Sequence, residues 1–148
     1  MKLIPLAIAA LAGLMMAVQG SLNAALGKVI GLWEATLVVH GIGTVVTGAA
    51  VFSFAAGNGA LGNITSAPWY TLLGGVLSVV IIYTVAVSIP RLGVATATTA
   101  IIVGQVLTAL CIDHLGCFGL DRVSFTWFKL LGLALLAAGA WLLLQRPS

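Results

Sequence analysis

The sequence predicts an all-α integral membrane protein of five transmembrane helices. Three observations carry that prediction. Charged residues make up 6% of the chain and hydrophobic residues 61%, whereas a soluble domain carries about a quarter charged residues. So few charges could not cover a water-facing surface, and lipid must be the solvent for most of the length. The apolar residues also fall into five stretches, each close to the ~20 residues that cross a bilayer. Finally, Trp33, Trp69, Tyr70, Trp127 and Trp141 lie near the ends of those stretches, where amphipathic rings sit at headgroup level.

The first span is placed at 4–26, within a segment that has no charge between Lys2 and Lys28. Its start resembles a secretory signal, but the apolar run is longer than a usual signal core and no A-x-A site ends it. A short turn, Gly27 to Leu32, leads to span two at 33–55. The stretch Gly57 to Pro68 is rich in turn formers and reads as a loop. Span three is placed at 68–89, with Pro90-Arg91 as a tight break. Span four covers 92–112 and is uncharged. A polar loop with Asp113, His114, Asp121 and Arg122 precedes span five at 125–145. Lys129, one turn inside span five, can snorkel outward. Small residues recur in the spans (Ala9, Gly13 and Ala17; Gly41 and Gly48; Gly74, Gly75 and Ser78; Gly132 and Gly139). They let helix backbones approach closely, within the chain or on a dimer face.

The 148 residues fit one transmembrane domain, 1–148. Six basic and three acidic side chains are scattered singly, so no basic face for nucleic acid is expected. Cys111, His114 and Cys117 have a C-x-x-H-x-x-C spacing, but zinc takes four ligands, or three and water. No metal or cofactor is expected. The chain has no G-x-S-x-G, H-E-x-x-H or phosphate-loop motif and no paired carboxylates. An enzyme is therefore not expected, and no residue is assigned a catalytic role.

Five spans put the ends of the chain on opposite sides of the membrane. On the N-terminal side, side A, lie Lys2, Arg122 and Lys129; on side B lie Lys28, Arg91 and Arg146. Orientation is normally set by an excess of Lys and Arg on the cytoplasmic side, and here there is none. The chain either inserts both ways and pairs as an antiparallel homodimer, or a partner or the first span fixes its orientation. An odd span number makes the pairing significant. Two copies would form the inverted repeat found in many secondary transporters.

The run QGSLNAALG, Gln19 to Gly27, resembles the first-helix motif of the YdcZ-type family in the drug/metabolite transporter superfamily. So does PRLGVATATTAIIVGQVLTALCIDHLGCFGL, Pro90 to Leu120, with its Gly-Gln pair and I-D-H-x-G tail. The closing LLGLALLAAGAWLLL is similar to that family as well. The resemblance covers nearly the whole chain. It implies a five-helix half-transporter in the bacterial inner (plasma) membrane, multi-pass, working as an antiparallel two-unit assembly. Span two departs from the family pattern: a Ser-Phe pair commonly stands where this chain has Val39-His40.

Polar residues within a membrane are costly and usually face a bundle interior or a cavity. Gln19 and Asn23 share one face of span one. At ~1.5 Å per residue, Gln19, His40 and Tyr83 lie about 6–7 Å from the midplane toward side B, and Gln105 about 4 Å toward side A. Inverting a second copy brings its Gln105 close in depth to the other three. Substrate contacts are therefore expected among Gln19, Asn23, His40, Tyr83 and Gln105, with interhelical hydrogen bonding as the competing role. Tyr83 either stacks on a cation or packs. Glu34 and His40 are the candidate proton carriers. Glu34 alternatively serves the positive start of span two or pairs with Lys28. Asp113 and His114, which match the family's D-H motif, are expected to act as a helix-end motif.

The expected function is secondary transport of a small organic solute, cationic or hydrophobic. The expected partners are a second copy, membrane lipid and the solute. The rival readings are a small dual-topology ion channel and a non-transporting membrane subunit. Dual insertion predicts that an impermeant thiol reagent on intact cells labels only a fraction of the Cys117 thiols in a Cys111→Ala background. Labelling of every chain, or of none, would mean a single orientation.

Overall fold

The computed structural model describes residues 3–53, 57 and 59–145. Lys2, the last residues expected in span two (54–55) and the closing Arg146 to Ser148 lie outside the described residues. Five α-helices follow in order: α1 Leu3–Ile30, α2 Leu32–Ser53, α3 Leu73–Leu92, α4 Val94–Leu115 and α5 Trp127–Leu144. Short 3₁₀ segments at Ala60–Ser66 and Trp69–Leu72 lead into α3, and another at Cys117–Gly119 follows α4. No strand occurs among the described residues. All five helices, the third taken from Trp69, are long and apolar enough to cross a membrane. The 28 residues of α1 extend about 42 Å at ~1.5 Å per residue. That exceeds a hydrocarbon core of ~30 Å, so the Lys28 end reaches the polar boundary.

The breaks between helices are tighter than the sequence suggested. The expected turn from Gly27 to Leu32 is a single residue, because α1 stays helical to Ile30 and α2 begins at Leu32. Gly31 alone makes the reversal, at φ +99°. Its carbonyl accepts from the Ala35 amide at 3.0 Å, and its own amide donates to the Gly27 carbonyl at 3.1 Å. The Pro90-Arg91 break is likewise displaced. Pro90 is accommodated inside α3, and the chain turns at Gly93, at φ +83°. The end of α4 runs past the expected residue 112 to Leu115 and stops at Gly116, which is left-handed.

Backbone contacts divide the chain into two units, Met1–Pro90 and Arg91–Ser148. In the first unit α1 packs on α2. Its buried residues are small and cluster toward the side B ends of the helices: Gly20, Asn23 and Ala24 on α1, Ala35 and Thr36 on α2, Ala86 and Ile89 on α3. Gly20 faces α3 so closely that a Cβ there would stand 2.9 Å from Val85 and 3.0 Å from Ile89. Small residues allow this approach, and dispersion between the backbones and their neighbours rewards it. In the second unit α4 packs on α5, with Ala97 buried and the Thr96 hydroxyl donating to the Leu143 carbonyl at 3.4 Å.

The other glycines behave differently. At Gly13, Gly41, Gly48, Gly74, Gly75, Gly132 and Gly139 an added Cβ would meet nothing within 4 Å inside its own unit. Close packing within a unit is therefore not what these positions serve.

The Gly31 turn yields a test. Alanine at φ +99° is strained, and its Cβ would collide with the Glu34 carboxylate. Gly31→Ala should lower stability by about 1–2 kcal/mol, measured by unfolding in mixed micelles of denaturing and native detergent.

Candidate functional site

The buried residues of the first unit lie toward its side B end, and α1, α2 and α3 line an open groove of about 570 Å³ that runs from Gln19 and His40 to Leu61. Its α2 wall is His40, Gly43, Thr44, Thr47, Gly48 and Val51, with Gln19 from α1 and Ser78 and Ile82 from α3 completing it. The α2 spacing is i, i+3, i+4, i+7, i+8 and i+11, one face of a helix. Glycine and threonine on that face keep the wall low, which is why a groove exists between two helices of otherwise bulky residues.

The threonines are occupied on their donor side. Thr44 donates to the His40 carbonyl at 2.9 Å and Thr47 to the Gly43 carbonyl at 2.8 Å. A hydroxyl has one hydrogen, so toward the groove these residues present acceptor lone pairs. His40 is the residue that links helices. Its Nδ1 lies 2.8 Å from the Thr36 carbonyl oxygen on α2, and its Nε2 lies 2.9 Å from Ser78 Oγ on α3. No lining residue other than His40 is ionisable.

The structure places the sequence-derived candidates as follows. Gln19 and His40 line the same groove. Asn23 is 5% exposed, sits one turn beyond Gln19, and shares with it a shallow depression on α1. Tyr83 does not line the groove. One face of its ring stacks on Trp33, with centroids 4.5 Å apart. Glu34 lies at the third position of α2 with its carboxylate folded over Gly31, where it meets the positive end of the helix. Among the described residues the only ion pair joins Lys129 and Asp113, so Lys28 does not hold Glu34. Gln105 is exposed on α4 in the second unit. Sequence reasoning missed Ser78, read only as a small packing residue, and the Thr44 and Thr47 stripe. The signal that finds them is the helical register with His40.

Asp113 and His114 anchor the loop between α4 and α5. The Asp113 carbonyl accepts from the Val123 amide at 2.8 Å, and the His114 carbonyl accepts from Arg122 Nε at 2.8 Å. Lys129 Nζ reaches back toward the membrane surface, 3.3 Å from the Ser124 carbonyl and 3.9 Å from the Asp113 carboxylate. The His114 ring meets Phe125 edge-on at 6.4 Å. Cys111 and Cys117 are free thiols. Among the described residues no three His, Cys, Asp or Glu side chains gather to hold a metal ion.

A family model described as "Putative inner membrane exporter, YdcZ" matches residues 4–142. The chain belongs to this family. The match spans all five helices, so the groove of the first unit and the anchored loop of the second both lie within the YdcZ region. No curated protein matches the chain, and no solved structure does.

The loop geometry of this YdcZ-family chain separates anchoring from binding. The Lys129–Asp113 pair is solvent-accessible, with side-chain exposures of 30% and 44%, and such pairs contribute under about 1 kcal/mol. Asp113→Asn should therefore lower stability by at most that amount, measured by thermal unfolding in detergent, and leave solute affinity unchanged.

Proposed function

We propose that this YdcZ-family chain is half of a secondary transporter that exports a small organic solute across the inner membrane. It works by alternating access as an antiparallel, dual-topology homodimer. The observation that carries this reading is the open groove lined by Gln19, His40, Thr44, Thr47 and Ser78. Its size falls in the range of small-molecule sites, about 300–1,000 Å³. Its mostly apolar wall favours a hydrophobic or amphipathic solute. The acceptor lone pairs of Thr44 and Thr47 favour one that carries N–H donors, such as an amine or organic cation.

One groove supplies half of an alternating-access cycle, and the inverted copy supplies the other half. Two features favour that pairing. Lys and Arg divide equally between the two sides. The open glycines at Gly13, Gly132 and Gly139 leave smooth strips that another helix could approach. In the pair, Gln105 of one copy joins Gln19 and His40 of the other near the midplane. Proton coupling falls to His40, because Glu34 is committed to the start of α2.

Reconstitution in liposomes tests this. Saturable uptake of organic cations or hydrophobic drugs is expected, responsive to a pH gradient. Gly43→Trp fills the groove without a clash at its Cβ, since nothing lies within 4 Å. It and Gln19→Ala should each lower uptake about tenfold or more in protein that still folds. Ohmic current would mean a channel, and a silent wild type a non-transporting subunit.

A further inference from the structure

A neutral His40 ring can place a hydrogen in only two of the three short contacts around it. Nδ1 lies 2.8 Å from the Thr36 carbonyl oxygen, which can only accept, so Nδ1 carries a hydrogen. Ser78 Oγ lies 2.9 Å from Nε2 and 2.7 Å from the Gly75 carbonyl oxygen. Ser78 has one hydroxyl hydrogen for those two acceptors. When that hydrogen points to Gly75, Oγ faces Nε2 with lone pairs, and the short contact holds only if Nε2 also carries a hydrogen. The complete pattern is that of an imidazolium.

We propose that His40 and Ser78 form a proton-binding site in which the Ser78 hydroxyl reports the charge on the ring. In the neutral state Nε2 has a lone pair, and Ser78 donates to it while Gly75 loses its side-chain donor. A proton arriving from water bonds to that lone pair. The Ser78 hydrogen then rotates to the Gly75 carbonyl, and Oγ accepts from the new Nε2–H. No covalent bond breaks, and the site gains one positive charge. The protonated state has one more hydrogen bond than the neutral one.

No other charge reaches the site from the helices around it. Gln19 faces it from α1, whose Lys28 stands at the far end, beyond the buried cluster. On α2, Glu34 is folded over Gly31. On α3, Tyr83 is stacked on Trp33 and Arg91 lies in the last turn. The Ala60–Ser66 segment contributes Leu61. The imidazolium is thus the one formal charge in a mostly apolar groove. A proton there and an organic cation beside it exclude each other, as exchange requires. This last step rests on the transport reading, whereas the proton site itself stands on geometry.

The test is nitrogen-15 NMR of the full chain in lipid nanodiscs. His40 is assigned by its loss in His40→Gln, which separates it from His114. The neutral ring should carry its hydrogen on Nδ1. Ser78→Ala should remove the hydrogen-bond partner of Nε2 and shift that nitrogen's resonance, and Ser78→Thr, which keeps a hydroxyl, should restore it. A neutral ring protonated on Nε2 in the wild type, or an Nε2 resonance unmoved by Ser78→Ala, would overturn the proposal. The wild-type tautomer decides the matter even if Ser78→Ala does not fold. The expected tautomer and Ser78 dependence in protein that transports nothing would sink the exporter reading and leave the proton site standing.

Discussion

The first unit depends on one contact, the seating of Val85 and Ile89 of α3 on α1 at Gly20. There the distance between helices is set by the absence of a side chain: any Cβ at this position would press on Val85 and Ile89. Ala24, Ala35 and Ala86 continue the same economy of volume. The groove begins at Gln19 and His40, where these small buried residues stop, and runs along the glycine and threonine face of α2 toward Leu61.

A second constraint acts on every polar group along these helices. In lipid there is no water to satisfy a hydroxyl, so most of those on these helices bond to a nearby carbonyl. Ser21, Thr36, Thr84, Ser88, Thr99 and Thr108 each donate to a carbonyl one turn back on their own helix. This local solution removes their polarity from the helix interface. His40 is different because its ring is too long for a purely local arrangement and bridges to Ser78. It is the one titratable group whose hydrogen bonding ties α2 to α3, so a change in its charge is also a change in how the two helices are joined.

The helices were legible in the sequence because apolar runs of bilayer length have no other stable solution. Their ends were less legible. The Gly31 and Gly93 turns depend on backbone angles that composition does not reveal, and Pro90 looked like a break because its own preference favours one. The roles of Glu34 and Asp113 could be narrowed by position alone, since helix ends impose strong electrostatic and capping demands. Ser78 could not be found in this way. Its importance comes from the register between α2 and α3, and register is a property of two helices that no single periodicity contains. Depth along the membrane had grouped Tyr83 with Gln19 and His40, but depth carries no azimuth. The ring of Tyr83 turns to Trp33 instead.

The equal division of basic residues and the open glycines bear on one another. A helix that packs closely within its own unit uses glycine as α1 does at Gly20. Glycines with no neighbour lower the stability of a helix, by roughly 1 kcal/mol each relative to alanine, with nothing in the unit to offset it. On the proposed pairing, that cost is offset by close contact with the inverted copy. Under the proposed dual insertion the same strips are presented in both orientations, so one sequence would supply both sides of the interface. The proposed pairing would also set the groove of one copy beside its inverted counterpart, giving the solute access from both faces of the membrane.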